Sequence, residues 1–170
     1  MNKSLLFERH FSDKLNISLE IPQTWQKIAN QHLDEQTEGY FYPAQSKNNP
    51  QIFIKKIVIP EIEQHEQNFI ELADELLQLL LQKLQPEQFE IISQTQTKID
   101  NYPARLDIFV VQSSDVELPI TQYQVCWQCH QLVYGLVAMV ESTAELEYLP
   151  IFATVAGSIN CHPDLFREYP

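Results

Sequence analysis

Four strand-like runs follow one another in the second half of this sequence: FEIISQTQTKI (89–99), ARLDIFVVQ (104–112), ITQYQVCWQ (120–128) and QLVYGLVAMV (131–140). The runs are rich in the β-branched and aromatic residues that favour strands. Turn residues separate them, with Asn101-Tyr102-Pro103 after the first run and Ser113-Ser114-Asp115 after the second. Because consecutive strands joined by short turns pair in opposite directions, the four runs predict an antiparallel sheet.

Three further strands are predicted before these runs, and each ends at a proline. They are LNISLEI (15–21) before Pro22, EGYFY (38–42) before Pro43 and QIFIKKIVI (51–59) before Pro60. In the first of them, apolar residues occupy every second position, which is typical of a half-buried strand.

Two helices complete the predicted elements. One lies between Pro60 and Pro86, where apolar residues recur at helical spacing: Phe69, Leu72, Ala73, Leu76, Leu80 and Leu84. The other begins near Ser142, which matches a capping box with Glu145, and ends at Gly157. Strands and helices segregated in this way predict an α+β fold. We expect a single domain over residues 1–170, with helices packed on an antiparallel sheet of about six strands.

Composition limits the classes of partner. The chain has 170 residues and a formal net charge of -12 at pH 7. So acidic a protein repels phosphate backbones and anionic lipid surfaces, which argues against nucleic acid and membrane headgroups as partners. The first residues contain neither the apolar core of an export signal nor a membrane helix, so we expect a cytoplasmic protein without membrane insertion.

Motifs of phosphate binding and hydrolytic catalysis are missing from the sequence. With only three glycines, it contains no Gly-rich phosphate loop. It also has no GxSxG nucleophile turn, and its five histidines form no HExxH pair. We therefore expect a protein that is not an enzyme and needs no cofactor.

Glutamines mark the predicted interaction surface. Alternation places Gln94 and Gln96 on one side of the first run, and Gln122 and Gln124 on one side of the third. If these strands are close together, one sheet face carries amides that could hold the backbone or an apolar helix of a client protein. Tyr40, Phe41 and Tyr42 are the candidate rim of this surface. A merely solvated sheet face is the alternative.

The cysteines suggest three kinds of site. Cys126-Trp127-Gln128-Cys129-His130 has the C-x-x-C-H pattern of c-type haem attachment, but the pattern lies in a strand of a chain without an export signal. A thioredoxin-like role would need a helix after the first thiol, and none is predicted. A structural zinc could bind Cys126, Cys129, Cys161 and His162. Buried, inert thiols are the alternative to all three.

Three segments resemble the PsbP/Mog-like superfamily: ISLEIPQTW (17–25), IDNYPARLDIFV (99–110) and FATVAGSI (152–159). The resemblance implies a sandwich around an antiparallel sheet. It also implies an accessory role like those of photosystem II extrinsic subunits, Ran-binding factors, lipoproteins and bacterial chaperones of type VI secretion effectors.

Within that superfamily, the expected lack of an export signal favours the effector chaperones, which hold apolar client helices on the open sheet face. PITQYQV (119–125) resembles their Gln-bearing strand, which implies that Gln122 and Gln124 face the client. We therefore expect a non-catalytic, chaperone-like protein whose partner is another protein. A photosystem II assembly factor and a zinc or redox protein using Cys126, Cys129 and Cys161 are the alternatives, and a homodimer stays open.

Overall fold

The computed structural model describes residues 4–42, 49–57, 69–130 and 132–162. These residues form ten strands: β1 (Phe7–Ser12), β2 (Ile17–Pro22), β3 (Gln26–Lys27), β4 (Thr37–Phe41), β5 (Gln51–Ile57), β6 (Gln88–Ile99), β7 (Tyr102–Gln112), β8 (Ile120–Cys129), β9 (Leu132–Glu141) and β10 (Asn160–Cys161). They also form two α-helices, α1 (Phe69–Leu84) and α2 (Glu145–Gly157), and two short 3₁₀ turns, Asn30–His32 and Ser142–Ala144.

The strands build two antiparallel sheets. The large sheet has seven strands in the order β3-β4-β5-β9-β8-β7-β6, and the small sheet has the order β1-β2-β10. The predicted α+β architecture with helices on an antiparallel sheet is therefore confirmed, with one strand more in the main sheet than expected. Strand β6 lies at the edge of the large sheet and, among the described residues, pairs only with β7.

The predicted strands and helices are present wherever the structure describes them. Residues 58–68 lie outside the described residues, so the end of the third predicted strand and the beginning of the first predicted helix cannot be compared. Strands β1, β3 and β10 were not predicted. Strands β3 and β10 have two residues each, too few to show a period, and β1 interrupts its apolar residues with Glu8, Arg9 and His10.

The predicted capping box at Ser142 is wrong. A 3₁₀ turn comes first, and α2 begins at Glu145 without a side-chain cap. Instead, the hydroxyl of Thr121 on β8 lies between the two residues, 2.8 Å from Ser142 Oγ and donating to Glu145 Oε2 at 2.7 Å. The two polar residues thus anchor the start of α2 to the sheet.

The main core lies between one face of the large sheet and a second layer made of α2 and the small sheet. Trp127 on β8 and Tyr134 on β9 stack at its centre, with ring centroids 5.3 Å apart, and Phe152 of α2 packs above the same face. The opposite face of the large sheet packs against α1 through two smaller apolar clusters. The sheet is therefore covered unequally on its two sides.

Two glycine-to-alanine substitutions should have opposite effects on stability. A Cβ at Gly39 on β4 would lie 2.7 Å from Ile28 Cδ1 and 3.1 Å from the Phe53 ring, so Gly39→Ala should cost about 1–3 kcal/mol. A Cβ at Gly157 meets nothing within 4 Å at the end of α2, so Gly157→Ala should stabilise by up to about 1 kcal/mol. Urea unfolding measures the change in unfolding free energy for both variants. Equal changes in the two variants would contradict the crowding at Gly39.

Candidate functional site

The four predicted glutamines lie on one face of the large sheet. In the strand register, Gln94 on β6 is opposite Asp107 on β7, which is in turn opposite Gln124 on β8. Gln96 is opposite Arg105. Directly opposed residues share a face, and Gln122 lies two residues before Gln124 on the same strand, so all four glutamines share one face, as the alternation predicts. This is the face that α1 packs against.

The exposure of these glutamines divides them into two pairs. Gln94 and Gln96 on the edge strand are exposed, as expected. Gln122 and Gln124 are only 3% and 5% exposed, so the prediction of an open amide face is wrong for them. Helix α1 crosses this part of the face, with Ala73 packed near Cys126 and Leu77 packed near Phe109. We call Arg105, Asp107, Gln122, Gln124 and Cys126 the covered face.

A buried ion pair lies within the covered face. Arg105 donates from Nε and Nη2 to Asp107 Oδ2 at 3.1 and 3.0 Å, and both side chains are almost fully buried. Arg105 Nη1 also donates to Asp74 Oδ1 of α1, which joins the helix to the sheet. Burial favours the neutral guanidine, but the hydrogen bonds to Asp74 and Asp107 outweigh it and raise the pKa of Arg105. Arg105 therefore stays charged beneath the helix.

Three acceptor oxygens of the covered face lack a hydrogen-bond donor among the described residues. They are Asp107 Oδ1, Gln122 Oε1 and Gln124 Oε1, and all are fully buried. An acceptor left unsatisfied in a protein interior costs about 1–3 kcal/mol. The covered face therefore carries acceptor capacity that the described residues do not use, while α1 is held by the apolar clusters beside it.

The edge strand β6 is the most exposed of the long strands of the large sheet. Ten of its twelve residues are exposed, and only Ile99 is buried. Phe89, Ile91 and Ile92 present apolar side chains to solvent, and the register shifts between Ile91 and Ser93, as at a β-bulge. We call Phe89, Ile91, Ile92, Gln94 and Gln96 the β6 surface. The adjacent apolar pair Ile91-Ile92, which interrupts the alternation, was the sequence signal for its apolar part.

The tyrosines expected at the rim lie elsewhere. Tyr40 on β4 is opposite Ile52, on the core face of the sheet, and is only 1% exposed. Its ring packs edge-on against His10, 5.5 Å away. Tyr42 is half-buried and packs 6.4 Å from Trp25 in the same core, while Phe41 is half-buried on β4. The prediction of a rim contact is therefore wrong for Tyr40, because alternation along β4 turns it away from the glutamines.

The three cysteines do not assemble into one site. The thiols of Cys129 and Cys161 are within hydrogen-bond reach of each other in the main core, but Cys126 lies on the other face of the sheet. Strand β8 continues through Cys129 and turns only at His130, so Cys126 lies on the covered face and Cys129 in the main core. Burial raises the pKa of the Cys126 thiol to about 12, which keeps it protonated. Among the described residues, no group of three or more metal-binding side chains comes together. The proposed zinc site is therefore wrong, as is a dithiol of Cys126 and Cys129.

His162, the fourth predicted zinc ligand, is engaged elsewhere. Its ring nitrogen lies 2.8 Å from Ser18 Oγ, and its backbone N–H donates to Asn16 O at 3.0 Å. Cys161 is in the main core, where its backbone N–H donates to Asp100 Oδ2 at 2.8 Å. These contacts hold the end of the described chain against β2.

A pocket of about 300 Å³ opens between the start of α1 and the β6–β7 hairpin. It is lined by Phe69, Ile70, Gln96, Thr97, Pro103, Ala104 and Arg105. The pocket therefore adjoins both the β6 surface and the covered face. No helix of the described residues combines the length and apolar character that a membrane span requires.

The architecture is the PsbP/Mog-like fold, as predicted. Mog1p, a Ran-binding protein of Saccharomyces cerevisiae, superimposes with a TM-score of 0.70 at 9% identity, covering 96% of this chain and 100% of that one. Cyanobacterial PsbP (CyanoP) from Synechocystis sp. PCC 6803 gives 0.66 at 13% identity, covering 95% and 96%. PA94 of Pseudomonas aeruginosa gives 0.59 at 15% identity, covering 96% and 98%. No family model and no curated protein match the sequence.

Proposed function

We propose that this protein is a non-catalytic accessory protein that binds another protein through the β6 surface. The observation that carries the proposal is a twelve-residue edge strand whose side chains are almost all exposed. Its outer backbone N–H and C=O groups have no strand beside them among the described residues. Natural proteins usually cover or charge such an edge, because it accepts another strand readily.

The chemistry of β6 indicates an extended, mostly apolar segment as its occupant. Strand β6 carries one acid, Glu90, and one base, Lys98, so the edge has no net charge within a strongly acidic protein. Ile91 and Ile92 offer apolar contacts, and Gln94 and Gln96 can hydrogen-bond without a charge penalty. A partner strand added here would gain backbone hydrogen bonds from the edge and specificity from alternate side chains.

The more specific part of the proposal is a cytoplasmic, bacterial chaperone whose client is a secreted protein such as a type VI effector. Its support is the sequence resemblance of residues 17–25, 99–110 and 152–159 together with the exposed Gln94 and Gln96. The resemblance of PITQYQV (119–125) does not add to it, because Gln122 and Gln124 are buried. A photosystem II assembly role finds no separate support, because Mog1p and CyanoP match the fold about equally, with TM-scores of 0.70 and 0.66. The zinc or redox alternative is not retained.

A double substitution on the β6 surface should abolish partner binding. Ile91→Asp with Ile92→Asp places two carboxylates on the apolar part of the edge, where burial against a partner would cost several kcal/mol. We expect stoichiometric recovery of a specific protein from native extract to fall by at least about tenfold. Hydrogen exchange of the complex should show new protection of the β6 amides.

Leu146→Asp on α2 is the matched control, because Leu146 is 88% exposed and lies on the opposite side of the sheet. It should leave partner recovery unchanged. Equal recovery by the β6 double variant and wild type, or protection confined to other strands, would refute the proposal. Light scattering tests for a homodimer. If the only complex found is a homodimer that the β6 substitutions abolish, client binding at this edge would also be refuted.

A further inference from the structure

We infer that Cys129 and Cys161 form a site of oxidative modification, at which a peroxide converts the two thiols into a disulfide that ties β10 to the end of β8. The inference goes beyond the proposed function, because it needs no protein partner and does not involve the β6 surface. It rests on the meeting of the two thiols, on a path for their protons to the surface, and on the place of the new bond in the fold.

The two thiols meet where β8 ends beside β10. Cys129 is the last residue of β8, and Cys161 is the last residue of β10, which pairs with β2. Their sulfurs are within hydrogen-bond reach of each other, and both side chains are buried in the main core. Since a disulfide joins sulfurs about 2 Å apart, a small movement of the side chains brings them into bonding distance. The pair is distinct from the C-x-x-C motif, because Cys126 lies on the opposite face of the sheet.

A proton path leads from Cys129 to the surface. The Tyr102 hydroxyl is within hydrogen-bond reach of the Cys129 thiol and lies 3.0 Å from His130 Nε2. His130 is exposed in the turn after β8, so an imidazolium there is solvated. A buried thiol is a poor nucleophile because it is rarely ionised. The relay through Tyr102 supplies the base that activates it.

Their surroundings distinguish the two thiols. Burial raises the pKa of Cys129, but hydrogen bonds from Cys161 and Tyr102 to its sulfur counteract that rise. Burial also raises the pKa of Cys161, and its hydrogen bond to Cys129 raises it further. Cys129 is therefore the thiol that attacks the oxidant, and Cys161 is the thiol that completes the disulfide.

The reaction balances with hydrogen peroxide as the oxidant. The proton of the Cys129 thiol passes to Tyr102, whose own proton passes to His130. The Cys129 sulfur bonds to one peroxide oxygen, the O–O bond breaks, and the hydroxide released takes the proton from His130 and leaves as water. The Cys161 sulfur then attacks the sulfenic acid, the S–O bond breaks, and the hydroxide leaves with the Cys161 proton as a second water. Two thiols are oxidised to one disulfide, and one peroxide is reduced to two waters.

The new bond would encircle a large part of the fold. Between Cys129 and Cys161 the chain forms β9 and α2, so the disulfide closes a loop around both elements. Such a cross-link restricts the unfolded chain. At a given urea concentration the unfolding equilibrium constant of the oxidised protein should be smaller by at least about tenfold, and dithiothreitol should reverse the change. Peroxide-treated Cys161→Ser should show no such change.

The first experiment treats the native 170-residue chain with hydrogen peroxide. The protein is then unfolded, alkylated with N-ethylmaleimide and digested with chymotrypsin, which cleaves after Trp127 and so separates Cys126 from Cys129 for mass spectrometry. We expect a disulfide between Cys129 and Cys161 and an alkylated Cys126. Absence of this disulfide, a disulfide through Cys126, or sulfinic acid as the only product at Cys129 would each overturn the inference.

The second experiment tests the relay and the order of attack. Tyr102→Phe and His130→Gln should each slow disulfide formation at least about tenfold, while near-ultraviolet circular dichroism stays native. Tyr123→Phe, six residues before Cys129 on the same strand, should leave the rate unchanged. In Cys161→Ser, dimedone should capture a sulfenic acid on Cys129. Unchanged rates in both relay variants would overturn the relay, and a sulfenic acid on Cys126 alone would overturn the order of attack.

The pH profile separates a proton relay from a structural role of His130. The titratable groups beside the thiol pair are Tyr102, His130, Asp100 and Tyr134. In His130→Gln the rate should rise about tenfold per pH unit between about pH 7 and 9, as expected when the thiol must ionise to solvent. Wild type should rise much less steeply, because neutral His130 already accepts the proton. Equal slopes in the two proteins would overturn the relay.

Discussion

Phe152→Ala is expected to lower the free energy of unfolding by about 3–5 kcal/mol, the range for truncating a buried aromatic residue. Phe152 of α2 is 0% exposed. Its ring lies 6.5 Å from Trp25, 6.2 Å from Tyr123 and 6.3 Å from Tyr148, measured between centroids. The substitution therefore leaves a cavity where α2, the sheet and the first part of the chain meet, and three neighbouring aromatic rings restrict its collapse.

Urea unfolding followed by tryptophan fluorescence measures this effect. Leu146→Ala is the control on the same helix, and its cost should stay below about 0.5 kcal/mol because Leu146 points to solvent. The dependence of the unfolding free energy on urea should be the same in both variants. If the two substitutions cost the same, α2 does not pack on the sheet through Phe152.

Arg105→Met should destabilise the protein by about 3–5 kcal/mol, the cost of breaking a buried ion pair by removing one partner. It removes both hydrogen bonds to Asp107 Oδ2 and leaves a carboxylate that is 1% exposed without a cation. It also removes the contact between the sheet and Asp74 of α1. We therefore expect faster labelling of Cys126 in the same variant, measured with N-ethylmaleimide.

Two further variants separate the buried charge from the contact with the helix. Asp74→Asn should cost less than about 1 kcal/mol, since the Asp74 side chain is mostly exposed. The double variant Arg105→Met with Asp107→Leu should recover most of the stability lost in Arg105→Met, because no unpaired charge remains in the interior. A double variant as unstable as Arg105→Met would show that packing, and not charge burial, is the cause.

The elements with a long, clear period were predicted correctly from the sequence. Strands β6 to β9 and α2 follow from the alternation and spacing of residues 89–157, because each pattern is a local property of the chain. Strands β3 and β10 could not be predicted, because each has only two residues and so shows no period in the sequence. Each forms a strand only because the fold places a partner strand beside it. The same holds for the start of α2, where a hydroxyl from β8 replaced the expected local cap.

The candidate site was predicted only in part. Alternation correctly placed Gln94, Gln96, Gln122 and Gln124 on one face. It also predicted that the Cys126 and Cys129 thiols, three residues apart in a strand, point to opposite faces. The apolar part of the β6 surface was missed, because Ile91 and Ile92 look like core residues in a sequence. Nothing local indicates that β6 lies at the edge of the sheet.

The sequence by itself determined which side chains share a face, since the period of a strand depends only on its own backbone. The tertiary structure alone decided which of those side chains meet solvent. Gln122 and Gln124 are buried on the face where α1 packs, and Gln94 and Gln96 stay open on the edge strand, while Tyr40 is buried in the main core on the other side. Coverage depends on contacts between segments distant in the chain, and no local pattern encodes them.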